Sequence, residues 1–245
     1  MIWIKTTDEL IKISSTATDT WGILKNGNPA KLKDGVWTPI ATLPNNKKAI
    51  DIESSNDNTI IVISESNKVY RYDYHNDAWI DLSAAIEFTK ISVTRNDCIY
   101  GLGTGDTPSI YRYFAEGHFE SLSDKKNSIE FKYSDIAVAP DGTHIGICEG
   151  YLTNWNVGNV QLIPNCKVVT IKDAANIMFV MDNNVVGVYV GEKNYWSMPN
   201  KVETFVNGQP VYNNLEGNIL DMKTSNTGVC YIMVDDDGEI SCYRM

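Results

Sequence analysis

NTIIVISESNKVYRYDYHNDAWIDLS, residues 58–83, and DCIYGLGTGDTPSIYRYFAEGHFESLS, residues 97–123, read as two copies of one unit. Each runs strand, turn, strand with Tyr-Arg-Tyr, turn, and then an aromatic residue three places before a leucine. The strand segments are short, rich in Val, Ile, Tyr and Thr, and separated by turn formers. Such a repeat decides the fold, because a small unit that cannot bury its own apolar face must pack on its copies.

A third copy, TWGILKNGNPAKLKDGVWTPIA at residues 20–41, sets Trp21-Gly22 against Tyr100-Gly101 and Trp37-x-x-Ile40 against Trp79-x-x-Leu82. Weaker copies follow at residues 143–164, 176–199 and 228–245. Taking Trp21, Ile61, Tyr100, Ile145, Phe179 and Tyr231 as equivalent gives six units, with a mean spacing of 245/6, about 41 residues. That is the length of a four-stranded propeller blade. The widest gap, between Phe179 and Tyr231, is read as an insertion over residues 201–217. The last unit stops after Ser-Cys-Tyr-Arg without a closing strand, and MIWIK at the N-terminus supplies one, with Trp3 at the missing aromatic position. The expected fold is all-β, a single domain over residues 1–245: a six-bladed β-propeller of four-stranded antiparallel blades, closed by the N-terminal strand completing the last blade. Closure of this kind removes free sheet edges and couples the blades. Turns are expected at 25–28, 139–142, 181–184 and 235–239, where Asn, Asp and Gly tolerate positive φ. Only residues 124–133 hint at helix.

A hydrophobic fraction of 43% and a charged fraction of 21% are ordinary for a folded chain. The net charge of -10 argues against binding a phosphate backbone, so no nucleic acid is expected. No apolar run reaches membrane-spanning length and the opening residues do not form a secretory leader, so no membrane insertion is expected. The address expected is cytoplasmic, or outside the cell by a non-classical route. The five cysteines lack a CxxC pair and are read as buried thiols, Cys230 and Cys242 being the one pair placed to face each other across a hairpin. His75, His118 and His144 fall in different units without metal-binding spacing, and the run Asp235-Asp236-Asp237-Gly238-Glu239 lacks EF-hand spacing. No metal and no cofactor are therefore expected. Neither a GxSxG elbow nor a phosphate or dinucleotide loop occurs, and arginine is confined to Arg71, Arg95, Arg112 and Arg244. The chain is expected not to be an enzyme, although a lactonase-like metal site of scattered acids on the central channel is left open.

The residues Trp21-Gly22, Tyr100-Gly101, Val69-Tyr70-Arg71-Tyr72, Ile110-Tyr111-Arg112-Tyr113 and the closing Trp37 and Trp79 resemble the tectonin repeat. That repeat reads roughly Asp-Gly, Val-Trp-Gly-Val, a turn, Ile-Tyr-Arg-Tyr and a closing Trp. The resemblance is good in three units and degenerate in three, where Val160 stands at a closing position and Phe179-Val180 replaces Trp-Gly. It implies a multivalent lectin of the tachylectin-1 and tectonin type, acting in innate defence. Members recognise sugars, methylated or amino sugars on microbial surfaces among them, in clefts between blades. Glycans on cell or microbial surfaces are then the expected partners, at fewer than six working sites.

A sugar ring offers an apolar C–H face and a rim of hydroxyls, so its site needs an exposed aromatic beside polar partners. The candidate carbohydrate-binding residues are Trp37, Tyr70, Arg71, Tyr72, Trp79, Tyr111, Arg112, Tyr113, Trp155 and Trp196. In each triplet the two tyrosines share one face of the strand and the arginine points to the other. The competing structural reading has these aromatics packing blade against blade and the arginines pairing with neighbouring acids. The competing function is a protein-interaction scaffold without sugar binding. Aromatics in repeated equivalent pockets favour the lectin, and a single asymmetric patch favours the scaffold.

Overall fold

The computed structural model of the chain describes residues 3–5, 10–16, 18–55, 57–82, 85–96, 98–105, 109–114, 117–122, 132–155, 160–198, 201–206, 209–214, 217–224, 230–236 and 239–244. It is an all-β propeller. After β1 (Trp3–Lys5), the first blade comprises β2 (Leu10–Ser15), β3 (Thr20–Leu24), β4 (Pro29–Lys33) and β5 (Val36–Pro39). The second holds β6 (Ala49–Ser54), β7 (Ile60–Ser64), β8 (Val69–Asp73) and β9 (Ala78–Asp81). The third holds β10 (Phe88–Arg95), β11 (Cys98–Gly103), β12 (Ile110–Phe114) and β13 (His118–Ser121). The fourth is β14 (Tyr133–Val138), β15 (His144–Cys148), β16 (Tyr151–Asn154) and β17 (Val160–Pro164). The fifth is β18 (Cys166–Asp173), β19 (Asn176–Met181), β20 (Val186–Gly191) and β21 (Asn194–Ser197). The remaining strands are β22 (Lys201–Val206), β23 (Gln209–Asn214), β24 (Asn218–Thr224), β25 (Cys230–Asp236) and β26 (Glu239–Arg244).

The expectation of six four-stranded blades is corrected. Five sheets have four strands, and the terminal sheet has six, in the order β23-β22-β1-β26-β25-β24. The cause is the segment read as an insertion, which forms the hairpin β22–β23 and pairs in parallel with β1, Trp3 opposite Val202. On its other side β1 pairs antiparallel with β26, Ile4 opposite Arg244. Innermost strands stand next to one another around a channel: β2 packs on β6 and β24, β10 on β6 and β14, and β18 on β14 and β24.

Register tests the equivalences read from sequence. Ser14 pairs with Trp21, Glu53 with Ile61, Ser92 with Tyr100, Ala137 with Ile145 and Lys223 with Tyr231. In the fifth blade Thr170 pairs with Met178, so the equivalent of Tyr100 there is Met178 and not Phe179. All six innermost strands also break register at one shared place, between Leu10 and Lys12, Ala49 and Asp51, Phe88 and Lys90, Tyr133 and Asp135, Cys166 and Val168, and Ile219 and Asp221. A residue inserted at such a break bends the strand and increases its twist.

Apolar clusters fill the spaces between blades. Trp21, Phe88 and Phe179 are among the largest fully buried side chains, each burial contributing roughly 1.5–3 kcal/mol. Gly146 is required by this packing, since a Cβ there would fall 2.8 Å from the ring of Tyr133. Backbone bonds tie turns to the next blade: Ala49 N–H donates to Gly27 O at 2.9 Å and Phe88 N–H to Asn67 O at 2.9 Å. Gly27 (φ 85°) and Asn67 (φ 58°) hold the left-handed conformations those hairpin turns need. Gly142 and Asn184, in two of the other expected turns, also have positive φ. Cys98, Cys148 and Cys166 are free thiols. Residues 123–131 and 237–238, and the side chains of Trp3, Val160, Cys230 and Cys242, lie outside the described residues. Among the described residues no helix is long and apolar enough to cross a membrane.

Candidate functional site

The ten residues singled out for sugar stacking take three kinds of place. Tyr70, Trp79 and Tyr113 are buried. Trp79 donates its indole N–H to Ala41 O at 2.7 Å, and its ring lies 5.1 Å from that of Tyr72, which in turn donates to Asp77. Tyr113 meets Phe119 at 5.1 Å, and Tyr111 meets Phe88 edge-on at 5.6 Å. Trp37 packs on the cluster of Leu10, Ile13, Tyr231 and Met233. Trp155 rests against His144 at 4.3 Å and Tyr100 at 5.8 Å, and Arg112 lies over the rings of Tyr100, at 5.9 Å, and Phe114, at 5.3 Å. The structure thus brings Arg112 and Trp155 together around Tyr100. Arg71 donates to Asn96 Oδ1 at 2.7 Å.

Trp196 differs from all of these. It is 74% exposed, and Val190, two residues beyond its partner Val188 on β20, is 49% exposed. The reason is register: Tyr195 sits opposite Tyr189, at the closing position, and Trp196 sits opposite Val188. A shift of one residue sends a side chain to the other face of a strand.

The channel is built from residues the sequence reading did not single out. One step along each innermost strand places Lys12, Asp51, Lys90, Asp135, Val168 and Asp221, and the next inward-facing step places Ser14, Glu53, Ser92, Ala137, Thr170 and Lys223. Lys12 bonds Asp221 at 2.8 Å and lies 3.9 Å from Asp51; Lys90 lies 3.8 Å from Asp135; Lys223 pairs with Glu53. Hydroxyls clip neighbouring blades: Ser14 Oγ accepts from Ser54 N–H at 2.8 Å, Ser92 Oγ from Val138 N–H at 2.9 Å, and Thr170 Oγ1 from Thr224 N–H at 3.2 Å. The identical triplets Lys12-Ile13-Ser14 and Lys90-Ile91-Ser92 are the signal that marks these strands in sequence.

Burial and charge set the protonation of the belt. Burial pushes the Glu53 carboxyl up to about 7; Lys223 opposes the rise, and Asp51 and Asp221 add to it. Burial likewise acts to raise Asp221, but Lys12, Lys223 and Lys90 outweigh it and hold that carboxyl well below the usual range. Lys223 would be lowered by burial, yet Glu53, Asp221, Asp51 and Asp135 hold it above the usual lysine range. Asp135 does the same for Lys90 against burial. At the C-terminal ends of the innermost strands lies a cavity of about 60 Å³, lined by serines, threonines and apolar residues with Glu53 and Lys223 in its wall. Among the described residues no group of three or more His, Cys, Asp and Glu is arranged to hold a metal ion.

Solved structures share this architecture. YCF48 from Cyanidioschyzon merolae superposes with a TM-score of 0.63 at 13% identity over 99% of both chains, and YCF48 bound to D1 peptide with 0.57 at 12% over 95% of this chain and 77% of that one. XC5397, a gluconolactonase from Xanthomonas campestris, gives 0.65 at 10% over 98% and 87%. The WD40 β-propeller domain of Doa1 gives 0.57 at 10% over 98% and 94%. At these identities the likeness shows the fold alone. No protein-family model and no curated protein sequence matches the chain.

Proposed function

We propose that the chain is a non-catalytic propeller scaffold that binds a protein or peptide segment. One observation carries this reading: of the ten residues a set of sugar sites would use, nine are buried or half-buried and Trp196 alone is open. One open aromatic in place of repeated equivalent pockets makes an asymmetric surface, suited to a protein partner rather than to a set of sugar sites. The lysines and carboxylates of the channel engage one another, which supports a non-catalytic role. A likeness to YCF48 bound to D1 peptide is in keeping with a peptide ligand. The proposal includes a tectonin-like descent for the blades, with Tyr72 opposite Trp79 and Tyr113 opposite Phe119 in its support. It also counts the terminal sheet as a sixth blade, β24–β25–β26–β1, which the shared register break and the β1–β26 pairing support.

Selection of displayed peptides on the folded protein, run beside a glycan array, tests the function. The expected outcome is saturable one-to-one peptide binding, weakened at least tenfold by Trp196→Ala, with no glycan retained. Glycan binding that rises with epitope density returns the lectin, and peptide binding indifferent to Trp196→Ala removes the patch.

A further inference from the structure

We infer that the outer edge of β21 takes up an extended, basic segment of a partner as an added antiparallel strand, with a lysine or arginine of that segment resting over Trp196. The inference rests on the scaffold reading and names its partner and mode of contact. β21 is the outermost strand of the fifth blade. Met198 N–H donates to Val186 O at 2.8 Å, so the ladder bonds Trp196 inward to Val188, and its alternation turns the backbone N–H and C=O of Tyr195 and Ser197 to the open edge. Exposed edges are normally blunted by proline or charge. The other outer strands follow that rule, with Pro39 in β5, Asp81 in β9, His118 and Glu120 in β13, Pro164 in β17 and Pro210 in β23. β21, Asn194-Tyr195-Trp196-Ser197, has neither.

Register gives the chemistry of the segment. The third-strand place opposite Trp21, Ile61 and Tyr100 is filled by Lys31, Arg71 and Arg112; opposite Met178 it is filled by Val188. Lys31 lies over the ring of Trp21 at 4.8 Å and Arg112 over that of Tyr100 at 5.9 Å, whereas among the described residues no cation lies over Trp196. The fifth blade thus has no cation of its own at this place and sets an open indole across the ladder from it. Indole is the ring that attracts ammonium and guanidinium groups most strongly. A residue added opposite Trp196 stands in a non-hydrogen-bonded pair, where side chains come closest, while its two neighbours bond Tyr195 and Ser197. The net charge of -10 favours a basic partner and repels a second copy. A strand of 4 residues also offers far less contact than the roughly 1,200 Å² that a stable dimer buries.

Calorimetric titration of the full chain with acetyl-Lys-Val-Lys-Val-Lys-amide is set beside its glutamate counterpart, acetyl-Glu-Val-Glu-Val-Glu-amide, and beside the lysine peptide N-methylated at both valines, whose N–H groups face β21 in the added strand. Saturable one-to-one binding is expected for the first, about tenfold weaker binding for the methylated form, and none for the glutamate peptide. Trp196→Ala and Ser197→Pro should each weaken binding about tenfold at an unchanged melting temperature, since both side chains are exposed and the Ser197 N–H points away from the ladder. Should Ser197→Pro fail to fold, the methylated peptide makes the same test on the unaltered protein. No response to the lysine peptide, an equal response to the glutamate peptide, or binding indifferent to methylation and to both substitutions, as attraction to net charge alone would give, overturns the assignment. A dimer in sedimentation that Ser197→Pro dissolves gives the edge to a second copy and overturns it too. Displayed peptides that need Trp196 but tolerate Ser197→Pro remove the added strand and leave the scaffold standing; glycan binding without peptide capture removes the scaffold reading itself.

Discussion

The junction of the second and third blades and that of the third and fourth are built on the same Tyr-Arg-Tyr triplet and are tied differently. Arg71 and Arg112 hold the same place, opposite Ile61 and Tyr100. Arg71 donates to Asn96 Oδ1, the Asn96 N–H donates to Asp57 Oδ2 at 2.7 Å, and Asp57 Oδ1 accepts from Thr59 N–H at 3.1 Å. Among the described residues Arg112 lies over the rings of Tyr100 and Phe114, and its Nε is buried without a hydrogen-bond partner. The acid in the fourth blade's turn, Asp141, serves the next junction instead, accepting from Thr143 N–H and from Ala174 N–H, both at 2.9 Å. The third–fourth junction is tied in the channel, through Ser92 with Val138 and Lys90 with Asp135. A repeat fixes where an arginine stands, and the neighbouring blade's turn decides whether it has a partner.

Removing the channel tie should have the largest effect. Asp135 is buried, accepts from Val169 N–H at 3.0 Å and from Ile136 N–H at 3.1 Å, and faces Lys90. Asp135→Ala strands a largely buried lysine and should lower unfolding free energy by about 3–5 kcal/mol, read as a lower denaturant midpoint at unchanged slope. A loss under about 1 kcal/mol would mean that apolar packing alone holds the junction.

Cutting the rim tie should do less. Asp57→Ala removes hydrogen bonds to the Asn96 and Thr59 amides and should lower stability by about 1–2 kcal/mol. Burial acts to raise the Asp57 carboxyl, but hydrogen bonds from Ser55, Asn96 and Thr59 outweigh it and hold it below the ordinary aspartate value. A carboxyl lower in the folded than in the unfolded state contributes its full stability above the unfolded value, and loses it as pH falls through the folded one. The gap between the unaltered protein and Asp57→Ala should therefore narrow as the solution is acidified below the aspartate range. A gap that stays constant would show that the tie does not depend on the charge.

The difference between rim and channel also explains what was legible in the sequence. Hairpins are local, so their turn residues and the pairing of Tyr72 with Trp79 follow from short-range pattern. The channel is not local: Lys12 and Asp221 touch across 209 residues, and a strand reading Lys-Ile-Ser looks like any half-buried strand. The fifth blade was misread by one residue because Met178-Phe179 and Tyr195-Trp196 each offer two adjacent side chains of similar kind. Only cross-strand register separates them, and with it the exposed Trp196 from the covered Tyr195. The hairpin β22–β23 read as an insertion because its partner, β1, lies at the other end of the chain.

The smallest effect should come from the two arginines themselves, and it discriminates most sharply between the junctions. Methionine preserves much of an arginine's stem and makes favourable contacts with rings, so Arg→Met isolates the guanidinium. At Arg71 the change breaks the bond to Asn96 and should destabilise by about 0.5–1.5 kcal/mol. At Arg112 it removes a buried donor that has no partner, a relief of about 1–3 kcal/mol. Against that stands the loss of attraction to Tyr100 and Phe114, about 0.5–1 kcal/mol. Arg112→Met should therefore be neutral or mildly stabilising where Arg71→Met is destabilising. A double-mutant cycle with Asn96→Ala sharpens the contrast, with coupling of about 1 kcal/mol expected for Arg71 and none for Arg112. Equal destabilisation by the two Arg→Met changes would mean that Arg112 is held by a polar partner after all, and that the two junctions are tied alike.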